Sequence, residues 1–337
     1  MAKAEALYTW IRDHFAYNGV TSYTSANAGR KAYNDASGNV ADINLSLVAA
    51  WRAAGLEAYP VLVSTRGHGI PHPVYPNYED FNYVVGAVML DDKVYFSDAS
   101  NTGSLPFGIL PVRCLNGNGW MAREEGGTWV NLKEKVRGAI SLTSEFAIVD
   151  DNLVVKHQSK YDGYDALFER SQLVGDGEEQ YQEKVMSYFA DEVTEVQVKD
   201  EASSVKWSAS CTSELDDPDL IYLKPVQAEV FLKNQFKREE RQSPIDFAYQ
   251  LSRRVIAYVT VPEGYEVVEM PKPAVIGLPD NGGRFVYSIQ QNGNKITVSS
   301  SFFLSQLDFG SIDYPYLKQY FQMAVDKNNE MIVLKKI

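Results

Sequence analysis

The sequence predicts an α+β core followed by a β-rich region, and the order of its hydrophobic patterns is the reason. Two stretches with helical spacing come first, three strand-like runs follow them, and alternating strands dominate the remainder. A chain of 337 residues is also too long for one ordinary compact domain. We therefore expect a core over residues 1–125, a connecting α/β segment over residues 126–210 that packs on the core, and a β-rich, sandwich-like domain over residues 211–337.

The first predicted elements are two amphipathic helices. Residues 4–16 carry apolar side chains three and four positions apart, and the pattern ends before an Asn-Gly pair. Residues 21–39 are small and polar and are predicted to form a loop. Residues 40–54 show a second, broad apolar face, and Gly55 supplies the stop.

Three strand-like runs complete the predicted core. Residues 58–64 form a run typical of a buried strand. The runs 81–90 and 93–98 are separated by the pair Asp91 and Asp92, which indicates a hairpin. Helices followed by a small sheet are typical of an α+β unit.

The predicted β-rich region is defined by alternating apolar and polar residues. The alternating segments are 193–198, 205–212, 220–226, 254–261, 284–289 and 295–300. An Asn-Gly pair at 292–293 is typical of a type I′ hairpin. Helices are predicted at 178–190, with Asp176 as its cap, and at 316–325, before a last strand at 331–335.

Composition excludes several classes of function. A net charge of -12 argues against a protein that follows the phosphates of a nucleic acid. No run of about 18 apolar residues predicts a membrane span, and no basic-then-apolar leader follows Met1. The two cysteines, Cys114 and Cys211, do not define a disulfide framework, and whether they pair stays open. No cofactor motif is present, so no cofactor is expected.

Four motifs in the first 100 residues carry a family resemblance. They read GNVADINL at 38–45, AYPVLVSTR at 58–66, FNYVV at 81–85 and YFSDA at 95–99. Their order and spacing resemble the bacterial transglutaminase-like superfamily, which shares the papain-type fold. The motif LPVRCLNG at 110–117 resembles exported proteins of Bacteroidetes that carry domains of unknown function around this core.

The resemblance continues through the β-rich region. The segments NQFKREER at 234–241, PIDF at 244–247, VPEGY at 261–265 and LPDN at 278–281 look like the C-terminal domain of the same proteins. The resemblance implies a papain-like core with a β-rich C-terminal domain of unknown function. Such proteins usually carry a further β domain before the core, so we expect this chain to be a fragment that lacks it.

The catalytic positions of the family are not preserved. In active relatives a cysteine begins the second helix, a histidine lies on the next hairpin strand, and an aspartate on the strand after. The helix dipole and the imidazolium favour the thiolate, and the carboxylate orients the imidazole. The matching residues here are Val40, Tyr83 and Asp98. Valine has no nucleophile, and a phenol with an ordinary pKa of about 10 is a poor base at neutral pH.

Two roles for Asp98 stay open in the sequence. It is either a relic that is hydrogen-bonded to Tyr83 or a strand-end residue that caps a turn. Other nucleophiles have no predicted base, because no histidine is placed by a motif near Ser37 or Ser46. Cys114 is predicted to be a buried structural thiol.

No metal site is predicted. His68 and His72 lie in one loop, but Gly69 and Pro71 between them prevent a helix and no third ligand is evident. The loop is expected to be exposed.

The double loss at Val40 and Tyr83 predicts a non-catalytic module rather than an enzyme. We expect it to bind or scaffold a peptide, protein or glycan in the periplasm or cell envelope of a bacterium. Trp51, Tyr75, Tyr78 and Phe81 are expected to form the aromatic rim of the former cleft. Two alternatives stay open: a hydrolase that reuses the cleft with other residues, and a purely structural domain whose cleft is filled by Val40, Tyr83 and Trp51.

Overall fold

The protein divides into two compact units, Met1–Glu134 (unit 1) and Lys135–Ile337 (unit 2). The computed structural model describes residues 1–26, 29–100, 105–133, 137–189, 192–201, 203–227 and 232–337. Within these residues, no helix combines the length and the apolar character that crossing a bilayer requires.

Unit 1 contains three helices and two small sheets within its described residues. The helices are α1 (Ala2–His14), α2 (Gly29–Asn34) and α3 (Val40–Ala53). The strands are β1 (Ala16–Tyr17), β2 (Ser37–Gly38), β3 (Ala58–Val63), β4 (Tyr83–Leu90), β5 (Lys93–Ser97), β6 (Asn118–Met121) and β7 (Thr128–Asn131). Strands β3 to β7 form an antiparallel sheet in the order β5-β4-β3-β6-β7, and β1 pairs with β2 in parallel.

Helix α3 is held against the sheet by its start and by its buried face. A capping box begins it: the Asn39 side chain accepts the Asp42 N–H at 2.8 Å, and the Asp42 carboxylate accepts the Asn39 N–H at 3.0 Å. Trp51, near its end, is fully buried and donates from Nε1 to the Ala4 carbonyl of α1. Gly86 of β4 makes room for this indole, because a Cβ there would lie 2.8 Å from it.

The predicted elements of the core are confirmed, and unit 1 also contains α2, β1, β2, β6 and β7, which were not predicted. Both long helices and all three strands lie within a few residues of the predicted bounds. Residues 21–39, however, are not all loop, because they include α2 and β2. A helix of six residues and a strand of two are too short for an apolar period to reveal.

Unit 2 is built around a large sheet. Its helices are α4 (Tyr164–Asp176), α5 (Glu178–Met186) and α6 (Tyr314–Asn328). Its strands are β8 (Gly138–Val149), β9 (Asn152–Gly163), β10 (Glu192–Glu201), β11 (Ser204–Glu214), β12 (Leu220–Leu223), β13 (Ile245–Asp246), β14 (Leu251–Thr260), β15 (Tyr265–Glu269), β16 (Ala274–Gly277), β17 (Gly283–Asn292), β18 (Lys295–Leu304), β19 (Asp308–Phe309) and β20 (Ile332–Lys336).

Eight strands of unit 2 form one sheet in the order β10-β11-β9-β8-β14-β18-β17-β16. All neighbours pair antiparallel except β8 and β14, which pair in parallel. Two antiparallel halves of four strands therefore meet at this parallel seam. One core cluster includes Leu317 and Tyr320 of α6 together with residues of β14, β17 and β18, and a second includes Tyr181 and Val185 of α5 with residues of β9 and β11.

The structure divides the chain differently from the sequence prediction. The strands between residues 138 and 214 do not form a separate connecting segment, because β8 pairs with β14 along Gly138–Phe146 and completes the unit 2 sheet. Strands β8 and β9 were not predicted. Asp150 and Asp151 between them both have positive φ, as a type I′ turn requires. The pairing of β8 with β14 joins distant segments of the chain, so a local pattern does not indicate it.

Two local predictions in unit 2 are corrected. Asp176 is the last residue of α4 and does not cap α5, whose N-cap is Gly177 with a φ of 87°. The helix predicted at 178–190 ends at Met186, and Ala190 lies outside the described residues.

In the β17–β18 hairpin, Asn292 pairs with Lys295, so the turn is one residue later than predicted. Only Gly293 in this turn has a positive φ, of 59°. A type I′ turn needs two such residues, so this turn is of another type.

Candidate functional site

The β4–β5 hairpin brings Tyr83 into contact with Asp98, two of the three residues that match the family's catalytic positions. Tyr83 begins β4, and Asp98 directly follows β5, which pairs with β4 up to Ser97. The Tyr83 hydroxyl donates to Asp98 Oδ2 at 2.7 Å. Asp98 is fully buried, and only 1% of Tyr83 is exposed.

The Asp98 carboxylate is fully engaged by its surroundings. Oδ1 accepts the Asn44 side-chain amide at 2.8 Å and both the N–H and the hydroxyl of Ser100, at 3.0 and 2.6 Å. Oδ2 accepts Tyr83 and Arg113 Nη2, the latter at 3.2 Å. Both roles predicted for Asp98 therefore occur together: it bonds Tyr83, and it caps the turn at Ser100.

Arg113 closes the outer side of this cluster. Its Nη2 donates to the Tyr83 hydroxyl at 2.6 Å, and its guanidinium lies 5.1 Å from the centre of the tyrosine ring. The Arg113 side chain is 43% exposed, so it lies between the buried pair and solvent. Burial, reinforced by the Asp98 carboxylate, raises the pKa of Tyr83 well above its ordinary value. The phenol is thus a hydrogen-bond donor and not a base.

Val40 occupies the start of α3, where a nucleophile would gain from the helix dipole. Its side chain is fully buried, and its N–H donates to the Val20 carbonyl at 3.3 Å. The Asn44 side chain, one turn later, donates to the Val84 carbonyl and accepts the Ala99 N–H, which ties α3 to the hairpin. Val40, Tyr83 and Asp98 are thus all buried within unit 1.

No disulfide joins the two cysteines. Both Cys114 and Cys211 are buried, and they lie in different units. Burial, and next the Asp98 carboxylate, raise the pKa of the Cys114 thiol well above its ordinary value. Since a nucleophile must be a thiolate, this environment suppresses reactivity. The prediction of a buried thiol at Cys114 is confirmed.

Of the four residues predicted for the aromatic rim, two are exposed and two are buried. Tyr75 and Tyr78 are exposed, at 78% and 73%. Trp51 is fully buried beneath the sheet, and Phe81 is buried with its ring 6.2 Å from that of Trp129. Trp51 lies on the buried face of α3, and Phe81 is buried just before β4, so neither can line a cleft.

The two histidines considered as metal ligands, His68 and His72, form hydrogen bonds within their own loop. His68 Nε2 lies 3.0 Å from the Glu79 carbonyl, and His72 Nδ1 accepts the Tyr75 N–H at 3.0 Å. Among the described residues, no group of three or more His, Cys, Asp and Glu side chains is arranged to hold a metal ion.

The serines considered as nucleophiles have other roles. The Ser46 hydroxyl donates to the Asp42 carbonyl one turn earlier, and Ser37 lies in the short strand β2. In unit 2 the Ser144 hydroxyl lies 2.9 Å from Nδ1 of His157. Both residues are buried in the sheet, at 0% and 1% exposure, so this serine–histidine contact is inaccessible to a substrate.

Sequence reasoning missed three residues of the cluster. Asn44 and Arg113 lie inside the family motifs at 38–45 and 110–117, but neither was predicted to belong to the site. Asn44 falls one helical turn after Val40, and this spacing could have placed it on the same face. Ser100 follows Asp98 at the two-residue distance typical of an aspartate turn.

Comparison with known proteins identifies two domains in the chain. Residues 1–123 match the transglutaminase-like superfamily, and residues 219–334 match a domain of unknown function with a solved structure, DUF3858. The chain therefore contains a transglutaminase-like domain followed by a DUF3858 domain, and the predicted fold class is confirmed.

The fold is similar to that of a solved protein from Parabacteroides distasonis that is described as a "putative protease". The TM-score is 0.53 at 13% identity, and the alignment covers 99% of this chain but 52% of the other. The chain therefore spans about half the length of this neighbour, and the likeness concerns the fold alone. No curated protein sequence matches the chain significantly.

Proposed function

We propose that this protein is a non-catalytic transglutaminase-like module that binds or scaffolds a peptide, protein or glycan. One observation carries the proposal: the phenol of Tyr83 is buried between Asp98 and Arg113, where an active relative needs a free imidazole. A buried phenol with a raised pKa cannot accept a proton at neutral pH. Val40 supplies no nucleophile for it to activate.

The closed geometry also supports a loss of substrate access. Val40 and Asp98 are fully buried, and Asp98 has no acceptor site left for an incoming group. Cys114, the one thiol near the cluster in the described part of unit 1, is buried and protonated. Binding would therefore use another surface of the protein.

A location in the bacterial cell envelope is part of the proposal. Its support is the resemblance to exported Bacteroidetes proteins, together with a similar fold in a protein from Parabacteroides distasonis. Immunodetection in fractionated cells of the source bacterium tests it, and recovery in the cytoplasmic fraction contradicts it.

Intact-mass spectrometry tests the absence of catalysis. The native chain is incubated at neutral pH with iodoacetamide and with a peptide thioester as acyl donor, and we expect no covalent adduct. The denatured chain is the control and should gain two carbamidomethyl groups, on Cys114 and Cys211. A native acyl adduct from the peptide thioester that one point substitution abolishes would favour an enzyme that reuses the cleft.

A restoration experiment tests whether the scaffold around positions 40 and 83 still forms an open and activating site. The double variant Val40→Cys with Tyr83→His introduces the missing pair. Because position 40 is fully buried, we expect its thiol to react more slowly with iodoacetamide than free cysteine. Fast, pH-dependent reactivity of this variant would instead mean that the scaffold has kept an open and activating site.

A further inference from the structure

One face of the unit 2 sheet is exposed and polar over four neighbouring strands. Pairing places Lys199 of β10 opposite Lys206 of β11, and Lys206 opposite Lys160 of β9. These three side chains are called the lysine row. The other face of the same strands is core, with Tyr161, Val205 and Trp207 buried.

A second row of uncharged polar side chains lies beside the lysine row. It runs in register across the same three strands and β8, two residues along each: Gln197, Ser208, Gln158 and Thr143. This set is called the amide–hydroxyl row. Both rows line a cavity of about 470 Å³, with Ser141 next to Lys160. The lining thus carries three cations and several hydrogen-bonding side chains, and the cavity is open to solvent.

The lysine row is unfavourable for folding by itself. Like charges directly opposite each other on neighbouring strands are destabilising. Two members are partly compensated at one border, where Lys160 contacts Asp162 at 2.9 Å and Lys206 contacts Glu201 at 2.7 Å. Lys199 makes no ion pair with any residue that the structure describes. An uncompensated cation beside two others, in a chain of net charge -12, indicates an anionic ligand.

We propose that this cavity binds an anionic oligosaccharide, with its acidic groups on the lysine row and its hydroxyls on the amide–hydroxyl row. The inference deepens the binding role proposed above and rests on it. Side-chain amides and hydroxyls can both donate and accept, which suits the hydroxyls of a sugar.

An acidic peptide fits this face less well. Peptides usually gain affinity on a sheet through main-chain hydrogen bonds at a free edge. Strands β9 and β11 are interior, and each is paired on both sides. Recognition on the face therefore depends on side chains alone, and its amide–hydroxyl row favours a hydroxyl-rich ligand.

Isothermal titration calorimetry of the full chain tests the proposal. The probes are trigalacturonate, neutral maltotriose and a short polyglutamate peptide, each at low salt and at about 0.15 M salt. We expect trigalacturonate to bind more tightly than either comparison probe, and to bind more weakly at the higher salt. The double variant Lys199→Gln with Lys206→Gln should weaken its binding at least about ten-fold.

A matched variant controls for the change in net charge. Lys237→Gln with Lys272→Gln removes two exposed charges elsewhere in unit 2 and should leave affinity within about two-fold, a change of less than ~0.5 kcal/mol. A cooperative thermal unfolding transition in each variant shows that it is folded. No binding of trigalacturonate, equal binding by the lysine-row variant, or tighter binding of maltotriose or polyglutamate would overturn the proposal.

The outcome is separable from the test of catalysis. Failure to bind trigalacturonate, with no covalent adduct on the native chain, rejects the oligosaccharide site and leaves the non-catalytic module intact. A native acyl adduct that one point substitution abolishes rejects the non-catalytic module whatever the titration gives.

Discussion

The Asp98 cluster of unit 1 and the exposed sheet face of unit 2 differ in how far their charged groups are compensated by neighbours. In unit 1 the Asp98 carboxylate is fully buried, and four neighbouring side chains donate to it. In unit 2 three lysines share an open face, and Lys199 has no ion-pair partner among the described residues. A polar group that is satisfied internally has no bonding capacity left for a ligand, whereas an uncompensated surface charge retains it. The comparison separates polar residues that stabilise the fold from polar residues available for binding.

The largest expected effect comes from removing the centre of the buried cluster. Asp98→Ala leaves Arg113, Tyr83 and Asn44 without their acceptor, and should cost about 3–5 kcal/mol in the free energy of unfolding of unit 1. Hydrogen–deuterium exchange of peptides from β4 and β5, measured across a urea series, reports the loss.

The exposed counterpart provides the control for Asp98. Asp162→Ala also removes an ion pair, with Lys160, but its side chain is 37% exposed. We expect its cost to be below about 1 kcal/mol. Equal effects of the two substitutions would contradict the distinction between the buried and the exposed charges.

The second expected effect is a pH dependence of unit 2. Burial lowers the pKa of His157 from its ordinary value to about 4, against a weaker opposing effect of Gln227. The unfolded chain then binds more protons than the folded chain between about pH 6.5 and 4. Stability is therefore complete above about pH 6.5 and should fall by roughly 3 kcal/mol as the pH decreases to 4.

Urea unfolding of unit 2 at a series of pH values measures this dependence. His157→Phe should flatten the slope between about pH 6.5 and 4, whereas His68→Gln, in an exposed loop, should preserve it. An unchanged slope in the His157 variant would assign the acid sensitivity to other groups.

The third expected effect concerns the packing of α3. A Cβ at Gly86 would lie 2.8 Å from the Trp51 ring and 3.4 Å from Leu47. Gly86→Ala should therefore destabilise unit 1 by about 1–3 kcal/mol. Thermal unfolding measures the change, and Gly67→Ala is the control because nothing lies within 4 Å of its Cβ. A neutral Gly86 variant would mean that the indole can shift without cost.

The smallest expected effect has the opposite sign. Lys199→Gln removes a cation that faces Lys206 and should stabilise unit 2 by about 0.2–1 kcal/mol at low salt. The gain should disappear in about 1 M salt, where the screening length is near 3 Å. Lys237→Gln should give no gain in the same denaturation experiment. Destabilisation by the Lys199 change would contradict the view that the row is costly to the fold.

Local patterns in the sequence were sufficient for most of unit 1. The apolar face of α3, the strand runs and the Asp91–Asp92 turn are all properties of neighbouring residues, and each is confirmed. The sheet of unit 2 was predicted less well, because the pairing of β8 with β14 joins segments more than 100 residues apart. Register of this kind depends on tertiary packing, which a local period does not record.

The candidate site shows the same limit. Motif spacing placed Tyr83 and Asp98 in neighbouring strands, and the structure brings them into contact. It did not indicate that Arg113, from a different segment, would complete the cluster, nor that Trp51 and Phe81 would be core. Both depend on which side chains fill a space, which is a property of the assembled fold.

The position of Arg113 limits what the double variant Val40→Cys with Tyr83→His could form. If cysteine and histidine returned at positions 40 and 83, an imidazolium would have to share the single Asp98 carboxylate with a guanidinium already bound there. Two cations competing for one anion lower the pKa of the histidine and disfavour the thiolate–imidazolium pair. A thiolate–imidazolium pair at these positions would thus require at least a third change, at Arg113, so we expect the double variant alone not to form one.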